Sequence, residues 1–232
     1  MNKKQLWNSG WQFAKTAPDT DISQVDGFAF ANVDLPHDWL ICNAKDLYES
    51  SFGWYKKTFY VSEKASRRVY FEGVYQDCTV YVNRKECFNW KYGYSSFEAD
   101  ISDFVTAGIN EIIVLVRHIS PNSRWYSGAG IYRSVWLYEN DSAYIESDSL
   151  YFTAKKQGSG WDCTVSCTVS NAVDCTLRLA VDGICSEDVE IHIGDTEITH
   201  SFTVHNVEEW STDNPALYRF SAALVKDGGV ID

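Results

Sequence analysis

Apolar and polar residues alternate with a period of two along most of the chain, and no stretch sustains a helical period. Val69 and Phe71 face one way with Tyr70 and Glu72 the other, and Cys78, Val80 and Val82 alternate with Thr79, Tyr81 and Asn83. Short strands separated by turn residues, without the helices that parallel crossovers need, predict antiparallel sandwiches. Ile112 to Val116 is apolar on both faces, which predicts a central strand or one whose outer face is covered by another domain. The polar break Glu139-Asn140-Asp141-Ser142 precedes a second alternating region, with strands expected over 162–170, 175–182, 189–193, 198–204 and 217–225. Strands at this spacing suit an immunoglobulin-like sandwich. Lys226-Asp227-Gly228-Gly229 reads as a hairpin turn.

One stretch breaks the alternation. Pro121 to Leu137 begins with a proline, small residues, glycines and large aromatics, and becomes aromatic and β-branched from Ile131. This predicts a demanding loop that runs into a strand. Loops held on a rigid sheet concentrate ligand contacts, although a large ordered corner that only packs would look the same.

The 232 residues suffice for one large domain or two modest ones. A formal net charge of -12 argues against nucleic acid or an anionic membrane face as partner, whereas a neutral sugar is compatible. Aromatics make up 15% of the chain, with nine Trp, a composition that suits both stacking on sugar C–H faces and ordinary cores. Met1 to Gly10 has two lysines and no apolar run after them, and no later run approaches the ~18 residues of a membrane span. Seven scattered cysteines read as reduced thiols, and a cytoplasmic location is expected. Cys163, Val165, Cys167 and Val169 alternate onto one strand face, so these two cysteines are expected in a core and no metal site is assigned.

Ser123 to Leu137, with Ser-Arg-Trp-Tyr-Ser-Gly-Ala-Gly-Ile-Tyr-Arg-Ser-Val-Trp-Leu, resembles the signature that ends the N-terminal sugar-binding domain of glycoside hydrolase family 2, in its β-galactosidase branch. Leu35-Pro36-His37-Asp38-Trp39, Gly53 to Phe59, Phe71-Glu72-Gly73-Val74 and Gly93 to Phe97 are similar to its other blocks, in the same order. Trp210 to Tyr218 resembles a block of the family's second domain. The resemblance implies an all-β chain: a galactose-binding-like jelly-roll sandwich over residues 1–140, then a truncated immunoglobulin-like β-sandwich over 141–232 that lacks its last strand. The catalytic barrel would lie outside this sequence. The whole protein is then expected to be a retaining β-galactosidase-like hydrolase of terminal β-galactosides, homo-oligomeric and without a cofactor in this part. A β-glucuronidase or β-mannosidase is the alternative specificity. An autonomous carbohydrate-binding module or a structural scaffold is the alternative role.

The family's two catalytic glutamates belong to the barrel, so the resemblance assigns no catalytic residue here. Asn110-Glu111 mimics the Asn-Glu pair of the acid/base, but Gly108-Ile109-Asn110-Glu111 leads straight into a strand and fits the jelly-roll's own block. In the family an aspartate of the loop reaches a sugar hydroxyl, and counting back from Gly130-Ile131-Tyr132-Arg133 places Arg124 there. An arginine offers only donors, so that contact is expected to be lost, moved to Asn122 or replaced. Asn122, Arg124 and Tyr126 are the candidates for the substrate rim, with bracing of the interface as their structural alternative. Trp125 and Arg133 are expected to support the loop, Arg133 through hydrogen bonds to carbonyls or a carboxylate. His37 and Asp38 fall in a block that the family places near the barrel. A neutral imidazole held within the turn and a capping carboxylate are their simplest readings.

Overall fold

The computed structural model describes residues 2–43, 45–62, 65–123 and 127–232. They form two compact units, Lys3–Glu139 and Asn2 with Asn140–Asp232.

The first unit holds ten strands, β1 Lys3–Leu6, β2 Trp11–Thr16, β3 Ala31–Val33, β4 Ser51–Val61, β5 Ser66–Phe71, β6 Cys78–Val82, β7 Lys85–Trp90, β8 Phe97–Asp100, β9 Gly108–His118 and β10 Val135–Asn140. They make a six-stranded sheet in the order β3-β2-β4-β9-β6-β7 and a four-stranded sheet in the order β1-β10-β5-β8. The β1–β10, β2–β3, β2–β4, β4–β9, β5–β8, β6–β7 and β6–β9 pairs are antiparallel. Val69, Phe71, Phe97, Ala99 and Leu137 of the smaller sheet meet Trp11, Tyr55, Val80, Val82, Ile112, Val114 and Val116 of the larger one in a single core. This is a jelly-roll sandwich, built from inward-facing residues two apart.

The doubly apolar run of β9 has a direct explanation. The strand lies between β4 and β6, and Ile113 and Leu115 on its outer face pack with Trp54, Phe52, Tyr81 and Val25 into a second cluster. A 3₁₀ turn, Ile22–Gly27, with Phe28 and Phe30 covers that face from within the same unit. Its capping box holds the turn: Asp21 accepts the Ser23 amide at 2.8 Å and Gln24 accepts the Asp21 amide at 2.9 Å.

The second unit adds β11 Tyr144–Ile145, β12 Tyr151–Gln157, β13 Gly160–Ser170, β14 Cys175–Val181, β15 Cys185–Ile191, β16 Glu197–His205, β17 Phe220–Lys226 and β18 Gly229–Val230. One sheet gathers β11, β12 and β16 around β13, and the other runs β15-β14-β17-β18. Val165, Cys167 and Val169 face Leu177, Leu179 and Leu224 in the core between them, as an immunoglobulin-like sandwich requires. Cys163 and Cys167 are buried free thiols on one face of β13, as their alternation predicts.

Several strand limits differ from the sequence expectation. β12 is exposed almost throughout, so no alternation marks it, and backbone pairing with β13 alone defines it. β15 begins earlier, at Cys185, because its register with β14 is set from the Val181 end. β17 starts at Phe220, since Asn214-Pro215 forms a turn whose carbonyl accepts the Ser211 and Ala216 amides. Leu217 there is 85% exposed.

Candidate functional site

The loop after β9 is held against the segment after β3. His37 donates its amide to the Ile131 carbonyl at 2.8 Å, and Trp39 donates to Ala129 at 3.0 Å. Between them, Asp38 Oδ1 accepts the amides of Leu40 at 2.9 Å, Ile41 at 3.3 Å and Ala129 at 3.1 Å. The first two bonds cap its own turn, as expected; the third ties that turn to the loop. This close approach explains two glycines. A Cβ on Gly128 would lie 2.2 Å from Asp38 Oδ2, and one on Gly130, whose φ is +136°, would lie 2.3 Å from the His37 carbonyl oxygen.

Tyr55 of β4 stands beneath this junction. Its hydroxyl lies 2.8 Å from His37 Nδ1, and the Ile131 amide bonds the same oxygen. Burial holds the phenol well above its ordinary pKa, so it stays protonated. Burial also lowers the His37 imidazole, with the Asp38 charge opposing, and favours the neutral ring. Phe13 packs against His37, Trp39 and Tyr55 at centroid distances of 4.6, 5.5 and 4.9 Å. His37 is thus held within the turn region by an aromatic nest.

A second clamp grips the other flank. His118, at the end of β9, is buried, with Nδ1 2.7 Å from the Glu49 carbonyl oxygen. A carbonyl only accepts, so Nδ1 carries the proton and Nε2 faces the Ser127 hydroxyl at 3.4 Å. Ser127 Oγ donates to Asn122 Oδ1 at 3.1 Å, and the Tyr75 hydroxyl donates to the same oxygen at 3.3 Å. Tyr75 also exchanges backbone hydrogen bonds with Gly130, both at 2.9 Å. Burial pushes the Glu49 carboxyl up, but hydrogen bonds from Lys15, Ser51 and Asn43 and the Lys15 charge outweigh it and leave it below the usual range.

Of the sequence candidates, the structure brings His37, Asp38 and Asn122 to the same loop. With Oδ1 of Asn122 taken by two hydroxyls, its buried Nδ2 has no partner among the described residues. Arg124, Trp125 and Tyr126 lie outside the described residues. Arg133 differs from expectation: it is exposed, its guanidinium sits 5.7 Å from the Tyr132 ring centroid, and among the described residues it makes none of the expected hydrogen bonds. Asp38, His118 and Tyr55 hold the loop instead, and Tyr132 anchors it further by donating to the Gly93 carbonyl at 2.8 Å. His118, Ser127, Tyr55 and Tyr75 were not singled out in the sequence. Ser127 and Gly128 sit inside the loop signature, but the other three look like ordinary strand or turn residues.

Asn110-Glu111 is structural. Asn110 is buried and braces Thr106 through both amide atoms, at 2.9 and 2.7 Å, while Glu111 pairs with Arg84 at 3.0 Å. Asp38 and Glu49, the carboxylates beside the loop, are each engaged by several donors and act as struts. Among the described residues no group of three His, Cys, Asp or Glu side chains could hold a metal ion.

A jelly-roll with a clamped loop, followed by an immunoglobulin-like sandwich, defines the class as an all-β chain of two antiparallel sandwiches. The chain belongs to glycosyl hydrolases family 2: residues 6–141 match its sugar binding domain and residues 143–232 match a second domain of the family. It is 27% identical to β-galactosidase BoGH2A of Bacteroides ovatus over 260 residues, covering 97% of this chain and 30% of that protein. It is 29% identical to a β-glucuronidase of Bacteroides fragilis over 263 residues, covering 98% of this chain and 36% of that protein. The crystal structure of a glycosyl hydrolase family 2 member from Bacteroides cellulosilyticus superimposes with a TM-score of 0.76 at 27% identity, covering 99% of this chain and 35% of that one. The chain therefore spans only about a third of the length of these relatives.

Proposed function

We propose that this chain is the non-catalytic front portion of a retaining glycoside hydrolase that cleaves terminal β-galactosides, and that its clamped loop forms one wall of the active site. The observation that carries this reading is the attachment of the loop: Asp38 accepts the Ala129 amide, the His37 and Trp39 amides donate to its carbonyls, and Asn122 is held beside Ser127 and Tyr75. A loop fixed at both ends suits a site that must orient a sugar hydroxyl. On this reading Asn122, Arg124 and Tyr126 form the substrate rim, with His37 and Asp38 at the interface with the catalytic domain. The acid/base and nucleophile, about 5–5.5 Å apart in a retaining enzyme, are supplied by that domain. The whole enzyme is a cytoplasmic homo-oligomer that needs no cofactor from this portion.

Similarity to a β-glucuronidase supports a second reading, in which the sugar is a β-glucuronide. Assay of the product of the whole gene on aryl β-galactoside and aryl β-glucuronide separates the two by the ratio of kcat/KM. The 232-residue chain alone should turn over neither. Turnover by the purified chain would overturn the assignment of catalysis to another domain.

A further inference from the structure

One end of the second sandwich carries an apolar concavity of about 280 Å³, lined by residues including Phe152, Cys163, Val204, Val181, Trp210 and Leu217. The first three belong to one sheet and Val181 to the other, and the segment between β16 and β17 supplies Trp210 and Leu217. Trp210 is 60% exposed and Leu217 85%.

That segment is ordered by its own hydrogen bonds. The Glu208 amide donates to the Tyr218 hydroxyl at 2.8 Å, and Asn214 Nδ2 donates to Glu208 Oε1 at 2.7 Å. The Ser211 amide donates to the Asn214 carbonyl at 2.8 Å, and Glu209 pairs with Lys156 of β12. Single exposed apolar residues are ordinary on a protein surface. Two of them on an ordered segment, beside an apolar concavity, form a contiguous patch of the kind that marks an interface.

The course of the chain points to what covers the patch. Ile231 donates to the Leu224 carbonyl at 2.8 Å and Leu224 donates to the Asp232 carbonyl at 3.0 Å, so the backbone past β18 runs antiparallel to β17, toward Phe220. Phe220 stands opposite Val181, and its ring centroid lies 4.7 Å from that of Phe152. Both partners line the concavity, so polypeptide that follows Asp232 is delivered to this end of the sandwich.

We propose that this apolar end is the docking surface for the catalytic domain of the same polypeptide, which covers Trp210 and Leu217 as its anchors. The proposal rests on the reading above that such a domain follows this chain. A Trp in a desolvated pocket is the kind of side chain that dominates interface energetics.

Hydroxyl-radical footprinting of the 232-residue chain and of the product of the whole gene tests this. Oxidation of Trp210 and Leu217 should fall several-fold in the whole product. Leu217→Asp should leave the unfolding midpoint of the 232-residue chain unchanged and lower that of the whole product by several degrees, whereas the footprint itself needs no variant. Equal oxidation of the patch in the two proteins overturns the proposal. So does protection that disappears when the whole product is diluted to its monomer, which marks a second copy as the occupant. An unprotected patch on a product that hydrolyses either glycoside sinks the interface and leaves the activity reading intact; a protected patch on an inactive product does the reverse.

Discussion

Asp38 Oδ1 accepts the amide of Ala129 at 3.1 Å across 91 residues of sequence, and this bond joins the turn after β3 to the loop after β9. The same oxygen caps Leu40 and Ile41, so one carboxylate both closes its own turn and holds the loop. Asp38→Ala should cost about 3 kcal/mol, because three amides lose their acceptor and Ala129 lies in the core. Asp38→Asn, which keeps an oxygen, should cost about 1 kcal/mol. Urea unfolding measures both, and a loss below about 0.5 kcal/mol for Asp38→Ala would show that the loop is held otherwise.

Gly128 and Gly130 allow this approach. Gly130→Ala should be the more damaging, at about 3 kcal/mol or more, since it combines φ of +136° with a contact of 2.3 Å to a backbone oxygen. Gly158, with φ of +59° and open space around it, provides the comparison; alanine there should cost only about 1 kcal/mol. Equal costs at the two positions would remove the steric argument.

His37 makes the fold sensitive to mild acid. Burial holds its folded pKa below the ordinary imidazole value of 6.5, so the unfolded chain takes up the proton first. The stabilisation is complete above that value and is lost as pH falls from about 6.5 toward the folded pKa. His37→Asn should flatten the decline in unfolding free energy between about pH 7 and pH 5.5. An unchanged slope in the variant would place the acid sensitivity elsewhere.

Arg133 should prove nearly silent. With an exposed side chain and, among the described residues, a ring contact to Tyr132 and no hydrogen bond, Arg133→Ala should change stability by less than about 0.5 kcal/mol. Arg133→Lys should behave likewise. A loss above about 1.5 kcal/mol in either would restore the bracing role expected from its place in the loop signature.

His118→Ala should cost about 2–3 kcal/mol, since it removes a buried side chain and leaves the Glu49 carbonyl without its donor. If the imidazole positions the loop, proton exchange at the Ser127 amide should accelerate more than exchange at Val114, deep in the same core. Equal acceleration at both would mark a purely global effect.

Much of the fold was legible along the chain. Period-two alternation identifies β13 and β14, because a strand with one buried face must place its apolar residues two apart. Exposed β12 carries no such mark. At the loop, Asp38 could be read as a cap, because capping is a local act between residues two and three apart.

Sequence by itself determined the family, the two all-β sandwiches and the loop that interrupts the alternation, since each of these is encoded in local pattern or contiguous blocks. Tertiary structure alone decided what holds that loop. His118, Tyr55 and Tyr75 act through partners 69, 18 and 47 residues away, and it also showed that Arg133 faces solvent. It also brought Phe152, Val181 and Trp210 around one concavity. Hydrogen bonds of that range depend on how strands pair across the sheet, and strand pairing is a property of the folded chain that no window of neighbouring residues contains.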